Sequence, residues 1–263
     1  MYDFKFVTPK TVAEAVTALS TEDALALGGG QTLIPTLKQR LAMPEVLVQL
    51  AKLPEMLGIC QNEMGQVCIG GATTHAAVAN GAEGYPALAA LAGHIGDPAV
   101  RNRGTIGGSL ANNDPSACYP AAVLASCALI KTNLREIVAD DFFHGMFETA
   151  LGEGEIITEV RFPVPHRANY QKFVQPASRF ALVGVFVAQF DAEVRVAVTG
   201  ASETGVFRWA QAEAVLSSDF TSQALAGLAL PDKPMIADVH GSADYRAHLV
   251  GVMTARAVTA ATV

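Results

Sequence analysis

Ile95-Gly96-Asp97-Pro98-Ala99-Val100-Arg101-Asn102-Arg103-Gly104-Thr105-Ile106-Gly107-Gly108-Ser109-Leu110-Ala111-Asn112-Asn113-Asp114-Pro115 gathers backbone-shaping and anion-attracting residues into one stretch. Its four glycines permit positive φ and let a ligand come close to the main chain. Thr105 and Ser109 add hydroxyls, and Arg101 and Arg103 add positive charge. Consecutive N–H groups in such a segment form an anion nest. Two readings fit: a seat for a large phosphorylated ligand, or a tight turn whose glycines solve a packing problem.

An upstream segment favours the first. Ala24-Leu25-Ala26-Leu27-Gly28-Gly29-Gly30-Gln31-Thr32-Leu33-Ile34-Pro35-Thr36-Leu37-Lys38 reads as strand, glycine loop and helix. A glycine loop that feeds a helix start presents unpaired N–H groups and the positive end of the helix dipole, which suits a diphosphate. The spacing is neither the G-x-G-x-x-G of a dinucleotide fold nor the Gly-Lys-Ser/Thr ending of a P-loop.

The chain has 263 residues, 51% hydrophobic and 16% charged, enough to bury a substantial core. A net charge of −7 without a basic cluster disfavours nucleic acid. No apolar run reaches the roughly 18–20 residues of a membrane span. The N-terminus, Met1 to Pro9, resembles neither a signal nor a transit peptide, so the cytoplasm is expected. Cys60, Cys68, Cys118 and Cys127 form no C-x-x-C pair and are expected as reduced thiols, with no metal held by this chain. The six histidines form no metalloenzyme motif, and there is no G-x-S-x-G elbow; a hydrolase is unsupported.

Strand-like and helix-like runs alternate through residues 1–57: a strand at 2–7, a helix begun by the Thr11/Glu14 capping box, and a strand at 46–50. Residues 58–165 read as a second unit, with a hairpin turn at 62–65, a short helix capped by Thr73, and helices at 86–92 and 119–126. Strands follow at 128–132, 134–138 and 155–162. Pro163-Val164-Pro165 marks a boundary. Residues 166–263 then hold an antiparallel hairpin, 181–190 with 194–201, and helices near 209–217 and 243–260.

Taken together, the motifs resemble those of the FAD-binding medium subunits of the molybdenum hydroxylases, the group that includes carbon monoxide dehydrogenase and xanthine dehydrogenase. Leu27 to Leu33 is similar to that family's A-G-G-[HQ]-[ST]-L loop, and Thr105 to Ser109 to its T-I-G-G-N loop. Further likenesses are Ile95 to Gly104, Asp141-Phe142-Phe143, Gly154 to Val160, and Tyr170 to Phe173 followed by Pro176-Ala177-Ser178. The resemblance implies an α+β fold: a two-lobed FAD-binding domain of the PCMH or vanillyl-alcohol-oxidase-like type (lobes 1–57 and 58–165), then a small C-terminal domain (166–263) with an antiparallel sheet and helices.

The resemblance also implies a cofactor site made of Leu27, Gly28, Gly29, Gly30, Gln31, Thr32, Leu33, Ile95, Thr105, Gly107, Gly108, Ser109, Cys118, Ile157 and Lys172. The two glycine segments would hold the diphosphate and adenosine side, Ile157 would pack near flavin or adenine, and Lys172 would reach the cofactor. Phe180 either stacks on the flavin or packs in the core. Three residues depart from the family pattern: Ser109 for Asn, Cys118 for a carboxylate that contacts FAD, and Arg179 at a position often acidic. The implied partners are a large subunit with the molybdenum cofactor, a small subunit with 2Fe-2S clusters, and an external acceptor, NAD or another. No catalytic side chain is needed, since the chemistry is the cofactor's. A free-standing flavin oxidoreductase and a cofactor-free structural subunit are the alternatives.

Overall fold

The computed structural model describes residues 1–229 and 231–261. Its first elements are β1 (Lys5–Val7), α1 (Val12–Leu19), β2 (Ala24–Leu27), α2 (Leu33–Lys38) and β3 (Val46–Gln49). The strands form a parallel sheet in the order β1-β3-β2. Alternation along β3 explains its central place: Val46 and Val48 pack with Ala15 and Leu19 of α1, while Leu47 turns the other way onto Leu27 and Leu37. Thr11 caps α1 by accepting the Glu14 N–H at 3.1 Å, and the Glu14 carboxylate returns to the Lys10 N–H at 2.7 Å.

Next come β4 (Ile59–Gln61), β5 (Val67–Gly70), α3 (His75–Gly81), α4 (Pro86–Gly93), α5 (Pro98–Arg101), α6 (Ile106–Asn112) and α7 (Tyr119–Ala125). They are followed by β6 (Leu129–Thr132), β7 (Glu136–Val138), the small ribbon β8 (Phe143–Gly145) and β9 (Glu148–Thr149), and β10 (Ile157–Phe162). β4-β5-β10-β6-β7 form an antiparallel sheet with β10 at its centre. Every residue of α7 is buried, as its apolar circumference requires.

The chain ends with β11 (Arg167–Val174), β12 (Ala181–Gln189), β13 (Val194–Thr199), β14 (Phe207–Arg208), α8 (Ala210–Ser218) and α9 (Ala243–Ala260). The antiparallel order is β11-β12-β13-β14. β12 reads as an unbroken apolar run because both of its faces are covered. Val183, Val185 and Val187 meet Leu249, Val250 and Met253 of α9, whereas Phe186 and Ala188 join the core that holds α7 and β10.

Several local expectations are refined. Thr74, not Thr73, caps α3, accepting the Ala77 N–H at 3.2 Å; the Thr73 hydroxyl instead bridges the backbone of Gly58. The glycine-rich stretch 106–112 is helical, with Thr105 as its cap. Residues 167–174, to which the sequence reading assigns no element, form β11 and pair with the whole of β12.

Arg246 of α9 is only 2% exposed and ties the last sheet together. Its guanidinium donates to the carbonyls of Leu182 (2.7 Å) and Gly200 (2.8 Å) and to the Asp238 carboxylate (2.6 Å). Burial raises the Asp238 carboxyl, but Arg246 and the His240 N–H outweigh it and hold the pKa below its ordinary value. Arg246→Ala leaves the Leu182 and Gly200 carbonyls without this buried donor, so urea denaturation should show a loss of about 2–4 kcal/mol. Asp238→Asn should lose less, because the two carbonyl contacts survive.

Candidate functional site

A cleft of about 680 Å³ runs between the parallel sheet, the five-stranded sheet and the end of β11. Its size lies within the range of roughly 300–1,000 Å³ usual for ligand sites. Gly28 to Leu33, leaving β2 for α2, form one wall. Thr105, Gly107, Gly108 and Ser109, at the start of α6, form the facing wall, and Ile95, Cys118, Ile157 and Lys172 also line the space. Leu27 does not: its side chain is buried against Leu37 and Leu47 beneath the loop.

The two glycine segments touch backbone to backbone. A Cβ on Gly29 would land on the Arg103 carbonyl, and one on Gly28 would meet the Thr105 hydroxyl at 3.0 Å. Gly30 has φ +72°, open to glycine at no steric cost. The glycines therefore serve close packing and ligand access together.

The segments differ in what they offer. From Gly28 through Leu33, no backbone N–H finds an acceptor among the described residues. At α6 the donors are already used: Ile106 N–H on the Thr73 carbonyl (3.1 Å), Gly107 N–H on the Gly71 carbonyl (2.9 Å) and Gly108 N–H on the Thr105 hydroxyl (3.2 Å). That segment instead gives the cleft its bare glycine surfaces and the Ser109 side chain. Nor do the arginines face the cleft. Arg101 donates to the carbonyls of Ile95 (3.0 Å) and Gly96 (3.1 Å), so its charge closes the 95–101 turn. Arg103 is exposed, and its carbonyl backs Gly29.

Lys172 reaches the cleft from β11. Its ammonium donates to the His94 carbonyl at 2.9 Å and lies 3.6 Å from the Cys118 sulfur. Ser178, Arg179 and Phe180 complete that end, with Arg179 in the left-handed region at φ +63°. Phe180 also meets His240 edge-on at 5.4 Å between ring centres.

Sequence reasoning missed His75, Gly71 and Glu155, all on the lining. Burial, aided by the nearby charge of Arg101, pushes the His75 pKa down to about 4, so the ring is neutral at pH 7, and its Nδ1 has no partner. Burial raises the Glu155 carboxyl, yet Arg135, the Gly152 N–H and the Thr132 hydroxyl prevail and hold its pKa at about 2. The Gly70-Gly71 pair was the one visible signal, since Gly71 has no room for a Cβ against the Ile157 carbonyl.

The site fits a dinucleotide cofactor: a row of unpaired main-chain donors suits a diphosphate, and the apolar walls suit flat rings. Residues 2–165 match the family described as the FAD binding domain in molybdopterin dehydrogenase. The chain is 34% identical to the nicotine 6-hydroxylase medium subunit of Paenarthrobacter nicotinovorans, over 98% of this chain and 96% of that protein. It is 35% identical to the carbon monoxide dehydrogenase medium chain of Hydrogenophaga pseudoflava, again over 98% and 96%. The fold superposes on a chain of the reconstituted CO dehydrogenase from Oligotropha carboxidovorans with a TM-score of 0.88, at 31% identity, covering 99% and 98% of the two chains. The fold and site define a flavoprotein oxidoreductase subunit. The chain belongs to the FAD-binding family of the molybdopterin dehydrogenases, and its cofactor is FAD.

Two outcomes follow from this geometry. Gly29→Ala should cut retained FAD at least tenfold in a heat-release assay by forcing the glycine segments apart, whereas Gly93→Ala, with ordinary space around it, should leave the content unchanged. Because the Glu155 pKa is depressed on folding, its contribution of about 2–3 kcal/mol is complete above the unfolded value near 4.5. It is lost as pH falls through about 2. Glu155→Gln should therefore lower thermal stability at pH 7 and flatten its dependence between those two pH values.

Proposed function

We propose that this chain is the electron-transfer subunit of a cytoplasmic molybdenum hydroxylase complex, with residues 1–57 and 58–165 as the two lobes that grip FAD and 166–263 as a C-terminal domain of antiparallel sheet and helices packed on the second lobe. Electrons released by substrate oxidation at a molybdenum-containing large subunit reach it through 2Fe-2S clusters of a small subunit. They leave it for an external acceptor, NAD or another. The observation that carries this reading is the row of unpaired N–H groups from Gly28 to Leu33 across a glycine-lined cleft. Relatives named as medium subunits of dehydrogenases and hydroxylases support the placement in a complex. Among the described residues, no helix is long and apolar enough to cross a membrane.

Bound FAD supplies the redox chemistry, accepting and passing on electrons singly or in pairs. The protein's own part is positional and electrostatic. The N–H groups of Gly28 to Leu33 would hold the diphosphate, with the bare surfaces of Gly107 and Gly108 allowing close approach and the Ser109 hydroxyl adding a donor. Neutral His75 and Ile157 also line the cleft. The Lys172 ammonium, held by the His94 carbonyl, would stabilise negative charge developing on the bound cofactor on reduction.

The purified chain should release about one FAD per polypeptide on heating, and a tagged copy in its host should co-purify with subunits carrying molybdenum and iron–sulfur. A flavin-bound chain that turns over an organic substrate alone overturns the reading in favour of an independent oxidoreductase. A colourless chain that takes up no FAD overturns it in favour of a structural role. Lys172→Ala should lower the flavin midpoint potential by about 30 mV, the two-electron equivalent of tenfold weaker stabilisation of the reduced form.

A further inference from the structure

Cys60 and Cys68 stand directly opposite one another in the antiparallel pair β4–β5. Two residues to either side, the Gly70 N–H reaches the Gly58 carbonyl at 3.0 Å and the Asn62 N–H reaches the Gln66 carbonyl at 3.1 Å. Alternation along the ladder makes Cys60 and Cys68 a hydrogen-bonded pair, a position where Cα atoms lie about 5.5 Å apart. Disulfides span Cα separations of about 4.4–6.8 Å with Cβ atoms about 3.5–4.5 Å apart. Directly opposed residues carry their Cβ atoms about 4.5–5.5 Å apart, with hydrogen-bonded pairs at the wider end, so a bridge here must draw the two side chains about 1 Å closer by twisting the strands and is a strained one.

The two thiols differ in a useful way. Cys60 is exposed on the sheet's edge strand, and Cys68 is buried beside it. Burial, then the charge of Glu159 and then Cys60 itself, raise the Cys68 pKa, and the exposed Cys60 is the thiol that a reagent in solution reaches first. Neither remaining cysteine competes: Cys118 is buried against Lys172, and Cys127 lies beside Glu193 with its pKa pushed up to about 11, chiefly by burial.

We propose that Cys60 and Cys68 form a reversible intramolecular disulfide by exchange with a small-molecule disulfide such as oxidised glutathione. The Cys60 thiolate attacks one sulfur of that disulfide, breaking its S–S bond, expelling one thiol and leaving a mixed disulfide on Cys60. Cys68, its proton passed to solvent, attacks the Cys60 sulfur and expels the second thiol. Two protein thiols are oxidised, one small disulfide is reduced, and the protons end on the released thiols. An exposed bridge that twists its ladder is readily reduced again, the property of a labile rather than a structural disulfide. Its position gives it leverage, because β5 runs straight into Gly71, whose carbonyl receives the Gly107 N–H at the cleft.

The full-length chain is incubated with oxidised glutathione, quenched with acid, alkylated and cleaved after Met64 with cyanogen bromide. The expected result is that the fragments carrying Cys60 and Cys68 stay joined until reduced, and that two of the four thiols become unreactive to a thiol reagent. Cys68→Ser should instead retain glutathione on Cys60, and Cys60→Ser should leave Cys68 reduced. A wild-type chain that keeps glutathione on Cys60 with Cys68 free, or that keeps four reactive thiols, overturns the proposal. The readout is a covalent bond, so it stands or falls independently of FAD content.

Discussion

Close contact between main chains is the constraint on which this molecule depends. Gly29 lies against the Arg103 carbonyl, Gly107 against the Gly71 carbonyl, and Gly71 against the Ile157 carbonyl. These contacts join the loop after β2, the start of α6, the end of β5 and the start of β10. A single methyl group at any of them collides with backbone, which cannot rotate away as a side chain can. Among the described residues the Gly28 to Leu33 donors have no protein acceptor, while those of α6 are consumed. One wall of the cleft is thus held rigid by hydrogen bonds so that the other can present its own to a ligand.

The strongest sequence signals were those in which local pattern and tertiary need agree. The glycine run after β2, the Thr11/Glu14 box and the apolar hairpin of β12 and β13 were legible because period, turn chemistry and burial coincide there. The helix Ile106–Asn112 was not legible. Two glycines and a terminal Asn are poor helix formers, and the segment is helical because Thr105, Thr73 and Gly71 receive its first donors. β11 was hidden for a related reason: Lys172 breaks the short alternation of Ala168-Asn169-Tyr170-Gln171, and the strand is held by pairing along all of β12.

Within the site, the sequence identified the glycine loops but misplaced the charges. Arginines beside glycines read as anion ligands, yet Arg101 has two carbonyls within reach five and six residues back, and these neighbours win. Lys172 has the opposite character: the Tyr170 to Phe173 likeness pointed to it, and the folded chain brings it to the cleft beside His94, 78 residues away in sequence. His75 and Glu155 escaped because their perturbed ionisation arises from burial and chiefly from groups remote in sequence, Arg101 for His75 and Arg135 and Thr132 for Glu155.

The family match ends at residue 165, but the packing does not. α7 is buried along its whole length in a core that also includes Phe186, Ala188 and Ala197 from β12 and β13. Cut free at residue 165, the segment would present an uncovered apolar helix to water and lose Lys172 from the cleft. The stretch that carries the glycine signature is therefore not a portable module. Duplication or fusion could move this cofactor seat into another protein only by carrying the last sheet along with it.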